Sequence, residues 1–496
     1  ARPAGRSVPE IGLITVRPPA GVTASALATT LGRLSGVVSA TPEHRYVPRQ
    51  TANDPALSTP DPGSGVAFQW VLTRENFPSA WNLSRGDGAL VGVIDTGVDA
   101  THPDLASKIA VAVNQGAGGT ASTDESGHGT HVASLACAGT NNGIGMAGAG
   151  YNCRLVVEKS DFSDSSIAAA IVDAANRHVG ALNMSFGPDM PDPALPAPPT
   201  EISALHYAAA HNVVLVAAAA DTPGTEQGDP ANVLQPAGTG ADLTQGLGLD
   251  VTAADYFGQR ACFAGSGSEI SLAAFGAFHP AASCSPLGLG PPIFGIFGAF
   301  PAGPTDLEAQ NCACRTTFGG SNRYAYVQGT SMAAPQVTAT AAMMRVLNPF
   351  ATVTDVITTL KRTASRPAGT GWTSDLGWGI LNAGAALDAV RRIDRLAPVS
   401  KLSAPHVSHQ RVFVLRWSGH DQQPPELIAS GIARYDIYAR AAGGRTHRIA
   451  STTHRTLRFH GRAEVKYVFF AVAVDRAGNR ESRPVDATTR VARGAR

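Results

Sequence analysis

No uninterrupted apolar stretch in this 496-residue chain is long enough to span a bilayer. The nearest, Pro286 to Pro304, lacks charge but is broken repeatedly by Pro and Gly, so a loop is expected there. The N-terminal ARPAGRSVPE has arginines without the apolar run of a signal peptide behind them. That leaves a cytosolic protein or an exported one whose signal is already gone. Zinc-type spacing is missing too: Cys312 and Cys314 have no second ligand pair nearby, and no H-E-x-x-H occurs. There is only one D-T-G, where an aspartic protease needs two such carboxylates, and no G-x-S-x-G elbow precedes a helix. Lysine is scarce and the arginines are scattered, apart from a few near the C-terminus. A net charge of +1 gives no electrostatic case for nucleic acid or an anionic membrane as partner.

What is present is globular: 44% hydrophobic and 16% charged residues, in a chain too long for one core. Three regions separate by texture. Residues 1–50 hold IGLITV (11–16), SALATTLGRL (25–34) and VVSATPEHRYV (37–47), expected as a strand, an amphipathic helix and one or two further strands. A Pro/Asp/Ser/Gly-rich stretch at 51–65 reads as a linker or exposed arm. From there to residue 396, apolar runs such as LVGVID (90–95) and VVLVAAAA (213–220) alternate with helical stretches at 165–178 and 331–347, the pattern of a parallel α/β sheet. Residues 397–496 carry β-type segments at 413–419, 433–440, 456–461 and 467–475, as in a small β-sandwich. An even number of cysteines, six, favours disulfides if the chain is exported. Cys284 with Cys312 or Cys314 would pin the Gly/Pro-rich loop, while Cys137 and Cys262 are as readily unpaired buried thiols.

Three segments carry chemistry. VGVIDTGVDATHPDL (91–105) puts Asp95 at the C-terminal end of a buried strand, where α/β sheets place their sites. In SGHGTHVAS (126–134), His128 precedes an apolar helical stretch between two glycines, and His131 is expected to be a packed, hydrogen-bonded histidine. In GTSMAAPQV (329–337), Ser331 opens a helix whose N-terminal dipole favours developing negative charge. A serine hydroxyl needs a base to take its proton, and that base needs a carboxylate to fix its tautomer. The order Asp, His, Ser is the one found in subtilisin.

With these motifs, residues 69–386 resemble a subtilase catalytic domain; NMSFG (183–187), QRACFAGSG (259–267) and DLGWGILNAGAAL (375–387) resemble further family landmarks. The resemblance implies a secreted serine endopeptidase acting on proteins or peptides, with Ser331 the nucleophile, His128 the base and Asp95 its orienting partner. It implies that Ser185, Phe186, Gly187, Ala218, Ala219 and Ala220 flank the pocket for the residue before the scissile bond, whose short apolar walls suit an apolar side chain. Structural Ca²⁺ is implied on the side chains of Asp54, Asp104 and Asn142 and the main-chain oxygens of Thr140, Ile144 and Met146. Residues 11–47 resemble the back half of a subtilase pro-domain, an intramolecular inhibitor, and 397–496 resemble a fibronectin type III-like module. A monomer is expected. One position departs from the family: LVAAAADTPG (215–224) places Asp221 where an oxyanion-binding asparagine is the rule. A lost donor there costs ~10²–10³ in turnover. This residue alone favours the rival reading, a catalytically silent subtilase fold used for binding or adhesion.

Overall fold

Thr23 accepts the Ala26 N–H and so starts α1 (Ala24–Leu31), close to the helix expected at 25–34. In the same unit β1 (Arg2–Pro3) pairs antiparallel with β2 (Val16–Arg17), the only strand within 12–17, and no strand forms over 37–41. The computed structural model describes residues 2–3, 12–19, 22–41, 52–188, 196–278, 295–310, 312–366, 370–482 and 484–495. The expected strand at 42–47 lies outside them. The chain divides into two compact units, Ala1–Gln50 and Thr51–Arg496.

In the second unit the stretch after residue 51 is largely exposed from Ser58 to Gly65, as expected, but its start is anchored: a short 3-10 turn, Pro55–Leu57, has Asp54 and Ala56 buried, and the Ala56 N–H donates to Gly145 O at 3.0 Å. Two short helices, α2 (Trp70–Arg74) and α3 (Phe77–Trp81), follow. Then come β3 (Leu90–Asp95), β4 (Ile109–Gln115), α4 (His128–Cys137), β5 (Arg154–Ser160), α5 (Asp164–Asn176) and β6 (Ala181–Met184). The alternation continues with α6 (Pro199–Ala210), β7 (Val214–Ala218), α7 (Ala231–Leu234), β8 (Leu249–Ala254) and β9 (Leu272–Phe275). All seven strands are parallel, in the order β4-β5-β3-β6-β7-β8-β9. The missing polar alternation now has its reason. Val91 and Val93 of β3 point into one apolar layer and Ile94 into the other, as Val214 and Val216 oppose Leu215 and Ala217 in β7. The order reverses at β3, so Asp95 sits at a topological switch point.

A small antiparallel sheet, β10 (Ile296–Ala299), β11 (Arg315–Phe318) and β12 (Ser321–Val327), abuts α4; α8 (Asp306–Ala309) lies between its strands in sequence. Part of the expected Pro286–Pro304 loop is therefore strand β10; residues 279–294 lie outside the described ones. Helix α9 (Thr330–Leu347) runs through the core, buried on nearly every side, before α10 (Val353–Thr363) and α11 (Ala383–Val390). Cys137 is bonded to Cys153 and Cys312 to Cys314, and Cys262 is disulfide-bonded as well. The expected pairing of Cys284 with Cys312 or Cys314 is thus overturned, and Cys137 and Cys262 are not free thiols. Cys284 lies outside the described residues.

The last hundred residues form two facing sheets. One is three-stranded, β13 (Val399–Ser403), β15 (Val412–His420) and β18 (Thr456–His460), in the order β13-β15-β18. The other comprises β14 (Val407–Ser408), β16 (Ile432–Ala441), β17 (His447–Thr452), β19 (Lys466–Asp475) and β20 (Ala487–Val491). Between them Leu415, Trp417, Tyr435, Ile437, Phe469 and Ala471 make a separate core. At the junction with α11, Asp394, Asp421 and Asp475 bring carboxylate oxygens within 4.8 Å of one another. Asp394 accepts the Ser430 N–H, and Asp475 accepts the N–H and amide of Asn479.

Candidate active site

Three elements carry the residues expected to be catalytic. Asp95 ends β3 and is fully buried; His128 opens α4 with its side chain about a fifth exposed (22%). Their contact is direct, His128 Nδ1 to Asp95 Oδ1 at 2.8 Å. Facing a carboxylate oxygen, Nδ1 must carry the hydrogen, which leaves Nε2 as the basic nitrogen. Burial disfavours the charged imidazolium. The Asp95 carboxylate, with Asp124 and Asp221 behind it, outweighs that and holds the pKa above its ordinary 6.5. Asp95 Oδ2 is buried without a partner.

Ser331 lies in the first turn of α9. Its Oγ–H donates to Ser185 O at 3.2 Å, not to the imidazole. A relay of buried polar groups holds it there: Thr338 Oγ1 donates to Asn183 Oδ1, Asn183 Nδ2 to Ser185 Oγ, and Ser185 Oγ to Ser331 O, all within 2.9–3.0 Å. At the helix mouth Met332 N–H donates to Gly329 O, and Thr330 N–H is taken by Asp221. Ser331 N–H is left free of protein acceptors among the described residues.

Asp221 follows β7 and reaches that mouth. Its Oδ1 accepts Thr330 N–H at 2.8 Å and lies 2.9 Å from Thr330 Oγ1, while Oδ2 faces Gly329, where an added Cβ would come within 2.9 Å of it. Burial pushes its pKa up to about 6, against the two Thr330 hydrogen bonds and nearby His128. Thr330 Oγ1 also lies 2.6 Å from Ala219 O, so its one proton is shared between that carbonyl and Asp221.

The segments expected to flank the pocket follow β6 and β7, which are neighbours in the sheet. Ser185 is buried, Phe186 half-buried and Gly187 exposed; opposite, Ala218 and Ala219 are buried and Ala220 half-buried. The Phe186 ring packs against Phe162, 5.4 Å between centroids. Gln227 braces the second wall: its Oε1 accepts Ala220 N–H and its Nε2 donates to Ser266 O. Beside the triad, Thr96, Ser126, Ser160, Asp306 and the Lys159–Glu125 ion pair line a depression of about 410 Å³.

Asp124 was not legible as a site residue. It is buried, and it accepts Gly127 N–H (2.9 Å), Thr130 N–H (2.7 Å) and Thr96 Oγ1–H (2.8 Å). Thr96 Oγ1 in turn accepts Gly129 N–H at 2.9 Å. One carboxylate therefore ties the start of α4, with His128, to the end of β3, with Asp95. The only signal for it was an acid four residues before a glycine-flanked histidine, a common N-cap pattern. The glycines beside His128 are required by their surroundings. A Cβ on Gly127 (φ +89°) would strike the Phe300 ring at 2.6 Å, and one on Gly129 would lie 2.2 Å from Gly97 O. His131 is packed, with Nε2 on Ile296 O at 3.0 Å, and burial lowers its pKa to about 3, so it stays neutral.

The residues expected to hold Ca²⁺ do converge, but on hydrogen-bond donors. Asp54 accepts Asn141 and Asn142 N–H; Asp104 accepts Asn142 Nδ2, Met146 N–H and Tyr324 O–H. Asn142 Oδ1 takes Ile144 N–H, and Thr140 Oγ1 serves Ala138 O and Gly148 O. All four carboxylate oxygens thus face N–H or O–H groups. A calcium ion takes six to eight oxygen ligands, and the set implied by the resemblance also includes the main-chain oxygens of Thr140, Ile144 and Met146.

The subtilase family model matches residues 86–379, more than half of the chain. Among known proteins, the chain is 28% identical over 322 residues to a thermophilic serine proteinase of Bacillus sp. (strain AK1), covering 64% of this chain and 66% of that one. It is 26% identical over 326 residues to thermitase of Thermoactinomyces vulgaris, covering 65% of this chain and 94% of thermitase. Against fervidolysin of Fervidobacterium pennivorans the identity is 30%, and the alignment spans 42% of that protein's length. Among solved structures, a protease of Pseudoalteromonas arctica superposes with a TM-score of 0.54 at 26% identity, covering 69% of this chain and all of that one. No described helix is long and apolar enough to cross a membrane. With its seven-stranded parallel sheet and the Asp95, His128 and Ser331 segments at one end of it, the chain belongs to the subtilase family.

Proposed function

We propose that this chain is an exported serine endopeptidase that cleaves peptide bonds through an acyl-enzyme on Ser331. The observation that carries the reading is the 2.8 Å Asp95–His128 contact beside a serine at the mouth of α9. In the reaction Ser331 Oγ leaves Ser185 O and gives its proton to His128 Nε2 as the oxygen attacks the scissile carbonyl. Asp95 stabilises the imidazolium that forms, and His128 then protonates the leaving amine. Water repeats the sequence on the acyl-enzyme. The developing oxyanion is held by Ser331 N–H and by Asp221, in its protonated form, donating from Oδ2.

The ionisation of Asp221 governs the rate. An ionised carboxylate ~3 Å from the oxyanion repels it by about 5 kcal/mol at an effective dielectric of ~20. Below a pKa of about 6 the carboxyl is a donor instead. Turnover should therefore be attenuated at neutral pH, with a more acidic optimum than an asparagine would give. Residues 1–50 are assigned as a pro-segment remnant that inhibits the cleft, 51–396 as the catalytic domain and 397–496 as a fibronectin type III-like module; the pocket formed by 185–187 and 218–220 favours an apolar side chain.

A fluorophosphonate probe tests the core of this. The chain freed of residues 1–50 should label at Ser331, Ser331→Ala should not, and peptide-library hydrolysis from pH 5 to 9 should track the labelling. A folded protein that does not label would favour the silent, binding fold.

A further inference from the structure

The overall charge of +1 conceals a separation along the chain. Residues 51–396 contain 16 Lys/Arg against 29 Asp/Glu, a net of −13, whereas residues 397–496 contain 17 against 7, a net of +10. The same hundred residues hold 6 of the 14 histidines. A charge this segregated creates a field on one end of the molecule only.

Within the β-sandwich the two sheets use their cations differently. On the five-stranded sheet, Arg434, Arg448 and Arg480 are all drawn to the buried carboxylate of Asp436. On the three-stranded sheet β13, β15 and β18 contain no acidic residue at all. Their inner residues, Leu402, Phe413, Leu415 and Trp417, fill the core, so the alternate positions face solvent. Cross-strand partners fix which side chains share that outer face: Ser403–Arg416–Thr456 in one row, Val414–Arg458 in the next, and Lys401–Ser418 on the other side. Lys401, Arg416 and Arg458 are exposed and have no ion-pair partner among the described residues. Diagonal neighbours on adjacent strands lie roughly 8 Å apart, so the three cations form a diagonal row across the sheet. His420 and His460 stand on the same face, and Ser403, Ser418 and Thr456 put hydroxyls between the charges.

We propose that this outer face of β13-β15-β18 is a docking surface for an acidic polysaccharide, a linear polymer bearing carboxylate or sulfate groups. Regularly spaced cations suit regularly spaced anions, and the interleaved hydroxyls suit sugar oxygens. The face carries no Phe, Tyr or Trp, so it lacks the stacking platform with which proteins hold single-stranded nucleic acid. Its one exposed large apolar side chain is Val414, too little to enter a bilayer. The polymer would repel the catalytic region at −13, so binding would orient the molecule with the sandwich against the polymer and the rest turned away.

The test is retention of the intact chain on immobilised polygalacturonate and on heparin at 0.15 M salt, with elution by rising salt. Lys401→Gln/Arg416→Gln/Arg458→Gln should lower affinity by at least about tenfold and flatten the salt dependence. Arg440→Gln/Arg445→Gln/Lys466→Gln removes three exposed cations from the other sheet and its turn, and should change affinity less than about twofold. Both variants should keep the wild-type melting temperature and the wild-type rate on a small peptide. Equal losses in the two variants would reduce the effect to net charge and overturn the proposal. So would absence of retention, tighter binding to duplex DNA or anionic vesicles, or self-association of the chain in place of polymer binding.

Discussion

Replacing Asp221 with asparagine isolates one proton. With the carboxyl pKa pushed up to about 6 by burial, half the wild-type enzyme has a donor at pH 6, roughly a tenth at pH 7 and about a hundredth at pH 8. The amide donates at every pH. The ratio of kcat/KM for Asp221→Asn over wild type should therefore rise from about 2 at pH 6 to about 11 at pH 7 and about 100 at pH 8. It should level off where the residual rate without a donor takes over, ~10²–10³ below the full rate. The groups facing the carboxyl are Thr330, which favours its ionised form through two hydrogen bonds, and His128, whose positive charge does the same. His128 must be neutral to act, and its pKa lies above 6.5, so wild type needs one proton on and one off in an order opposite to their affinities. The productive form is then a minority of the enzyme at any pH. In Asp221→Asn that conflict disappears, and the loss of a nearby negative charge also moves the acid limb to lower pH. Steady-state hydrolysis of one peptide by both proteins between pH 5 and 9 gives the ratio directly. A ratio that stays flat with pH, or falls below one, refutes the oxyanion role of Asp221.

Other groups give separate outcomes. Asp124→Asn should lower kcat with little change in KM and shift the acid limb of the pH profile downward, because it removes one of the charges that raise His128; an unmoved limb would make Asp124 merely structural. Thr338→Val leaves Asn183 Oδ1 buried without its donor and should cost about 1–3 kcal/mol in chemical denaturation. Replacing Cys137 and Cys153 together with serine opens a loop of 16 residues and should cost about 3 kcal/mol by the chain-entropy estimate, read as a lower midpoint than that of the oxidised wild type.

Local pattern and global arrangement were not equally legible. LVGVID ended in a buried strand at Asp95 and the 331–347 run in α9 because apolar continuity and a helix start are written in consecutive residues. The anchoring at the start of the segment after residue 51 was missed for the opposite reason. Its Pro, Asp and Ser content looks like a linker, yet Asp54 is buried because two backbone N–H groups nearly ninety residues away satisfy it. The cysteines failed similarly: two residues apart, Cys312 and Cys314 seemed to compete for a distant partner, and they bond to each other.

Asp124 and the basic sheet share a further kind of concealment, and it bears on how the molecule acts. Each is a property of relations rather than of residue types: Asp124 matters because three donors from two elements converge on it, and the sandwich's charge matters because β-pairing puts its unneutralised cations on one face. The consequences lie at opposite length scales. Within a few ångströms, negative charges gathered around His128 hold its proton more tightly and slow its use as a base at low pH. Across the whole chain, 29 acids against 16 bases in residues 51–396 set a field that discourages anionic segments of a substrate from approaching, while residues 397–496 attract them. If the sandwich holds an acidic polymer, that polymer and the acidic residues of 51–396 together repel acidic peptides, and cationic or neutral peptides gain access over them. A charge series of peptides with identical residues around the scissile bond should then separate at low salt and converge above about 0.5 M, where screening leaves only the pocket to discriminate.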